Sequence, residues 1–230
     1  MTFAALFAPP YKPPMPLIAP SILAADLGRL AEEVRNVEAA GADWIHIDIM
    51  DGHFVPNLTM GPDIVRAVRR VTSLPLDVHL MVTNPLAMIE AFAAAGADYL
   101  SVHVEVVDDV EGAFRLIESF GKKPALVVNP DTPVEAVSPH ISRASMILVM
   151  SVYPGFAGQK FIPEVLSKLE ALRDLKKRYA SSCLLEIDGG IKTSNTATVV
   201  RAGAEVVVAG SGIFATSDYG ATIAEMKSAS

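Results

Sequence analysis

The chain has 230 residues, 51% of them hydrophobic and 20% charged, enough apolar side chain to bury a substantial core. Its net charge of −7 comes without a long run of either sign, which argues against a cationic track for nucleic acid, and no apolar stretch approaches the roughly 18 residues of a membrane-spanning helix. The lone cysteine, Cys183, has no partner for an intramolecular disulfide and cannot build a thiolate metal cage, so a reducing, cytoplasmic setting is expected.

Residues 1–16 (MTFAALFAPPYKPPMP) carry prolines at 9, 10, 13, 14 and 16 and lack a basic start. They read as an extended tail rather than a signal peptide, with residues 17–230 forming one domain. From there β-rich runs recur at 17–22, 44–50, 76–82, 99–105, 124–129, 146–152, 184–188 and 205–210. Amphipathic stretches lie between them. In residues 163–180, for example, Val165, Leu166, Leu169, Leu172 and Leu175 fall at helical spacing.

Three segments echo one another: AAGADWIHI, AAGADYLSV and RAGAEVVVA. Each closes a helix on glycine, as a left-handed C-terminal cap, and then opens a strand. Eight strand–helix pairs at roughly 25-residue intervals imply a parallel sheet, and eight strands close into a (β/α)8 TIM barrel. An open doubly wound sheet would show the same alternation. However, no GxGxxG follows the first strand, and eight units leave little chain over.

Strand side chains alternate between faces. In the second strand Ile45, Ile47 and Ile49 point toward the helices, so His46, Asp48 and Met50 point into the barrel. In the third, Val78, Leu80 and Val82 point outward while Asp77, His79 and Met81 point inward. In the seventh, Leu185 and Ile187 face out, and Glu186 and Asp188 face in. His46, Asp48, His79 and Asp188 then meet near the C-terminal mouth, where barrel active sites lie. Two imidazoles and two carboxylates form an N/O ligand set for one divalent ion per subunit: Zn, Mn, Fe(II) or Co. Singly, a strand histidine is more often a hydrogen-bonded core group, and an Asp after a strand often caps the next helix. The metal reading rests on three strands delivering ionisable groups to one height of one face, where unpaired charge is costly. His53 and His140 fall in loop-like sequence and are expected to be solvated. His103 and Glu105, inward on the fourth strand, are expected to support the ligands, and Glu186 to serve a structural role one layer deeper.

The seventh strand ends in Asp188-Gly189-Gly190 and the eighth in Gly210-Ser211-Gly212, leading into helices expected at 193–202 and 217–227. Glycines that admit backbone N–H groups, beside helix N-termini, suit a phosphate, and these are the two loops that clamp phosphate in many barrels. Residues 154–161 (PGFAGQKF) form a glycine-rich loop placed to act as a lid. Met50, Met81 and Met150 share the inward parity and would line the site, excluding water.

Seven segments carry a resemblance: IAPSILAADL (18–27), WIHIDIMDGHFVPNLTMGP (44–62), LDVHLMV (76–82), NPDTP (129–133), VMSVYPGFAGQKFIP (149–163), EIDGGI (186–191) and VAGSGIF (208–214). Over residues 17–227 the chain resembles the ribulose-phosphate 3-epimerase family. The resemblance implies an isomerase of the pentose phosphate pathway that interconverts D-ribulose 5-phosphate and D-xylulose 5-phosphate. It implies that His46, Asp48, His79 and Asp188 hold the metal and that Asp48 and Asp188 transfer the protons. It further implies that Ser21 and His79 contact substrate, with Gly155, Phe156, Ala157, Gly158, Gly189, Gly190, Gly210 and Ser211 forming the substrate and phosphate loops. Homo-oligomers, dimers or hexamers, are usual in the family. The lid departs from the common GFGGQ: Ala157 is also seen in the related epimerase of D-allulose 6-phosphate, which keeps a six-carbon substrate as an alternative.

Inverting a carbon beside a ketone requires removing a proton from one face and delivering one to the other, which two opposed carboxyl groups can do. An ordinary Asp, with a pKa of about 3.9, is a weak base for such a proton; a Lewis-acidic metal stabilising the enediolate contributes several kcal/mol. Related barrel decarboxylases and hexulose-phosphate synthases use Asp-x-Lys-x-x-Asp, whereas Asp48-Ile49-Met50-Asp51 has methionine at the lysine position. A non-catalytic sugar-phosphate sensor would need the phosphate loops but has no reason to set two carboxylates beside a metal.

Overall fold

The computed structural model describes residues 15–229, so the expected proline-rich tail lies outside the described residues except for Met15 and Pro16. Eight strands form at the eight places the alternation marks: β1 (Leu17–Pro20), β2 (Ile45–Met50), β3 (Leu76–Met81), β4 (Tyr99–His103), β5 (Lys123–Val128), β6 (Met146–Met150), β7 (Leu184–Asp188) and β8 (Val206–Ala209). They pair in parallel in the order β1-β8-β7-β6-β5-β4-β3-β2. The ring closes between β1 and β2 through a bridge from Ser21 to His46 and a Trp44 N–H donated to Ile18 O at 3.3 Å. Among the described residues, these two contacts join the ends of the sheet.

The helices are α1 (Leu30–Ala39), α2 (Pro62–Arg69), α3 (Ile89–Ala95), α4 (Val110–Ser119), α5 (Leu166–Arg178), α6 (Thr193–Ala202), α7 (Ser211–Phe214) and α8 (Tyr219–Lys227). The expected helix in every crossover is not met. Between β5 and β6 there are only two 3-10 turns, Val134–Ala136 and Ser138–His140. Pro139 lies within that stretch, where it removes an N–H donor and its ring clashes with the preceding turn, so a continuous α-helix cannot propagate. The echoed glycines cap as expected: Gly41, Gly96 and Gly203 have φ of 94°, 114° and 129°.

Period two sets the layers. Ile45, Ile47, Ile49, Val78, Leu80, Leu185 and Ile187 face outward and join Val34, Val65, Phe92, Phe114, Leu169 and Leu172 of the helices in one apolar shell. Each such side chain, fully buried, contributes about 1.5–3 kcal/mol. This shell, and not the inner polar layer, therefore dominates stability. Inside the barrel the lower floor is apolar too: Ala19, Ala125, Met146, Val206 and Val208 surround a Trp44–Tyr99 stack with centroids 4.5 Å apart. Among the described residues no helix is long and apolar enough to cross a membrane.

Candidate active site

Register brings the inward polar residues together. On β2 and β3, His46 pairs with Asp77 and Asp48 with His79; on β6 and β7, Met150 pairs with Asp188. One ligand atom each from His46, Asp48, His79 and Asp188 lies within 4.8 Å of the others. His46 Nε2 and His79 Nδ1 are both 3.4 Å from Asp48 Oδ1. Both nitrogens are buried without a hydrogen-bond partner.

The other nitrogen of each ring is committed. His46 Nδ1–H donates to Asp77 Oδ2 at 2.5 Å, and Asp77 Oδ1 accepts the Ser101 hydroxyl at 3.1 Å. His79 Nε2–H donates to His103 Nε2 at 2.8 Å, and His103 Nδ1–H donates to Glu105 Oε2 at 3.1 Å. Because carboxylates only accept, these bonds fix both tautomers, and the free lone pairs of His46 and His79 converge on Asp48. Burial pushes the His103 imidazolium down to a pKa of about 4, so His103 is neutral and can accept from His79. A buried polar atom left unpaired costs about 1–3 kcal/mol. Two such nitrogens aimed at two carboxylates fit a divalent cation, and the cluster could hold one.

Electrostatics separates the two carboxylates. Burial works to raise Asp48, but positive charge on the His46 and His79 side, whether a proton on the facing nitrogens or a cation between them and the carboxylate, outweighs it and holds its carboxyl far below the usual range. For Asp188, burial and then the neighbouring Asp48 push the pKa up to about 6. One group therefore favours the ionised form while the other retains a proton more readily, the polarity that an acid–base pair needs. Glu186, fully buried beneath them with neither oxygen bonded, is raised well above the usual range by burial and by Asp77.

Every residue expected to bind substrate, except His79, lines one cleft: Ser21, Gly155, Phe156, Ala157, Gly158, Gly189, Gly190, Gly210 and Ser211. Asp48, Asp188, Met50, Met81 and Met150 share that wall. His79 is fully buried, with its Nδ1 3.4 Å from Asp48 Oδ1, and is not part of that wall. The Ser21 hydroxyl donates to Asp48 Oδ2 at 2.5 Å and orients it.

At the far end of the cleft, Gly189 and Gly190 lead into α6 as expected. Gly210-Ser211-Gly212 instead opens the four-residue α7; the helix expected at 217–227 begins later, at Tyr219, behind the Asp218 cap. The loops after β7 and β8 touch at Gly212, where a Cβ would lie 2.2 Å from Ile191 O. Gly212→Ala is expected to force the two loops apart. The cost should be about 1–3 kcal/mol of stability by overpacking, with a rise in KM for the sugar phosphate that exceeds any fall in kcat. Thermal melting and steady-state kinetics on the one variant check this, and unchanged values for both would contradict it.

Further differences from the sequence reading arise where separate segments meet. β4 ends at His103, and Glu105 lies in a 3-10 turn (Val104–Val106) from which its carboxylate reaches back to His103. His140 is half-buried: its Nδ1 lies 3.2 Å from Glu111 and its ring packs edge-on against Phe114. His53 is exposed, as expected. Asp77 carries more than sequence reasoning gave it. Its parity with His79 and its register with His46 were the available signal.

A family model described as "Ribulose-phosphate 3 epimerase family" matches residues 17–214. The ribulose-phosphate 3-epimerase of Synechocystis sp. is 48% identical over 213 residues, covering 92% of this chain and 93% of that protein. The ribulose-phosphate 3-epimerase of Aquifex aeolicus is 47% identical over 214 residues, covering 93% and 96%. Among solved structures, a 3-hexulose-6-phosphate synthase superposes with a TM-score of 0.67 at 20% identity, covering 94% of this chain and 99% of that one. At that identity the likeness shows the barrel fold alone.

Proposed function

Because this chain belongs to the ribulose-phosphate 3-epimerase family, we propose that Asp48 and Asp188 are the acid–base pair with which it interconverts D-ribulose 5-phosphate and D-xylulose 5-phosphate. The chain is a carbohydrate epimerase, and the proposal concerns which of its groups move the protons. The observation that carries it is geometric: two carboxyl groups, on strands three steps apart around the ring, stand on the wall of one cleft.

In this reading the sugar phosphate lies across the cleft. Backbone N–H groups at Gly189, Gly190, Gly210 and Ser211 receive the phosphate, so a chain of net charge −7 binds an anion without a cationic patch. His46, Asp48, His79 and Asp188 would hold one divalent ion (Zn, Mn, Fe(II) or Co), which supplies Lewis-acid stabilisation of the enediolate when bound. Ionised Asp48, oriented by the Ser21 hydroxyl, takes the C3 proton from one face. Neutral Asp188 delivers a proton to the opposite face, and the roles exchange in the reverse direction. Met50, Met81 and Met150 exclude water around the carboxylates, which strengthens charge interactions within the cleft. The single buried thiol accords with a reducing, cytoplasmic setting.

The test is solvent exchange. In deuterated water, D-ribulose 5-phosphate is expected to acquire deuterium at C3 in step with appearance of D-xylulose 5-phosphate. Parallel assay of D-allulose 6-phosphate reads the six-carbon alternative. A protein that binds the pentulose phosphate yet leaves C3 protonated would refute the reading.

A further inference from the structure

We propose that Tyr153 is a positioning residue for the epimerase reaction: its hydroxyl, bound to Asp131, latches the loop that overhangs the cleft to the loop that follows β5. The inference rests on the reading above, that the cleft is the substrate site. The Tyr153 hydroxyl lies 2.8 Å from both carboxylate oxygens of Asp131, a forked charge-assisted bond. The ring itself is 52% exposed, so apolar burial does not account for a tyrosine there. Next to it, Pro154, Gly155, Phe156 and Gln159 line the cleft.

Asp131 sits on a fixed post. Glu105 Oε1 accepts the Asn129 N–H at 2.9 Å and the Thr132 hydroxyl at 2.6 Å. Lys168, reaching from α5, donates to the carbonyls of Asn129 at 2.7 Å, Pro130 at 2.6 Å and Thr132. The second oxygen of Glu105 takes the His103 N–H, and His103 in turn accepts from His79. The post is therefore joined by hydrogen bonds to an imidazole of the proposed metal centre.

The overhanging loop has fewer ties of its own. Gln159 Nε2 donates within the loop, to Tyr153 O at 2.6 Å and Phe156 O at 3.1 Å. Asn57 Nδ2 donates to Gly155 O at 3.0 Å from the loop after β2. Removing the phenol deletes the tie to the β5 side and leaves the bond from the β2 side.

Lid closure contributes to substrate retention. Tyr153→Phe, which keeps the ring, is expected to raise KM for D-ribulose 5-phosphate about five- to tenfold, the scale of one charge-assisted bond partly screened by solvent. Change in kcat should stay under about twofold, and metal content should be unchanged. Asp131→Ala should give a similar rise, and the double variant should add nothing to either single. Independently of activity, trypsin should cut after the exposed Lys160 faster in both singles than in the parent. A Tyr153→Phe protein with parental KM and parental protection of Lys160 overturns the latch, as do additive effects in the double. An inactive Asp188→Asn protein in the same assays would leave the site reading standing in that event. An active one would remove the site reading itself.

Discussion

Asp188→Asn is expected to lower kcat for epimerisation by about three to four orders of magnitude, the upper range for loss of a positioned general acid or base. Asparagine preserves shape and an oxygen that faces the cluster, but it can neither take up nor release the proton. Asp188 is the carboxyl that burial and Asp48 push up to about 6, so it is the member of the pair that most readily carries a proton. The variant should still bind the sugar phosphate, because Gly189, Gly190, Gly210 and Ser211 are untouched. Because Asp188 is also a proposed ligand, the amide is expected to hold the ion more weakly, so the assay is run in excess metal with occupancy measured on the same sample. The diagnostic result is partial chemistry. With Asp48 intact, one epimer should still exchange its C3 hydrogen with deuterated water while conversion is blocked, since a single base can serve only one face. Exchange into both epimers at comparable rates, or turnover near the parental value, would mean that one group serves both faces and would end the two-carboxylate scheme.

The partial reaction depends on strand parity, and parity was the most legible feature of the sequence. Ile45, Ile47 and Ile49 against His46, Asp48 and Met50 give inside and outside without knowledge of any contact, because period two is a property of the strand itself. All eight strands and the glycine caps at 41, 96 and 203 follow from equally local rules. What the sequence hid depends on where separate segments meet. Glu105 continues the alternation of β4, yet it leaves the strand for a 3-10 turn because its carboxylate is drawn to His103, Asn129 and Thr132. The pairing of Tyr153 with Asp131 joins two loops 22 positions apart, and no periodicity links them. The short α7 is set by the approach of Gly212 to Ile191, a contact between loops, so the helix signal further on drew the expected start to 217. His140 looked like a loop residue since nothing local announces Glu111, 29 positions away.

Loss of the nitrogens proposed as ligands, one at a time, is expected to empty the proposed metal site without unfolding the barrel. Two substitutions isolate the effect. His46→Asn keeps an amide donor where Nδ1 meets Asp77 and deletes Nε2; His79→Gln keeps a donor where Nε2 meets His103 and deletes Nδ1. Cruder changes to alanine would leave Asp77 or His103 without its partner and confound ligation with the cost of an unpaired buried group. Removal of a partner behind a ligand typically costs 10–100-fold in metal affinity, so removal of a ligand atom itself should cost on the order of a hundredfold or more. Metal analysis of the purified variants should therefore show substoichiometric ion, with turnover falling in proportion to occupancy and partly restored by excess metal. Chelation of the parent should reproduce the loss. It should also lower the melting temperature, since an ion bound only by the folded state stabilises it by mass action. The variants should melt near the chelated parent rather than below it, because the apolar shell of the barrel is intact. Stoichiometric, tightly held metal in both variants would show that these nitrogens are not its ligands. Full turnover by a thoroughly chelated parent would show that the carboxylates epimerise without it.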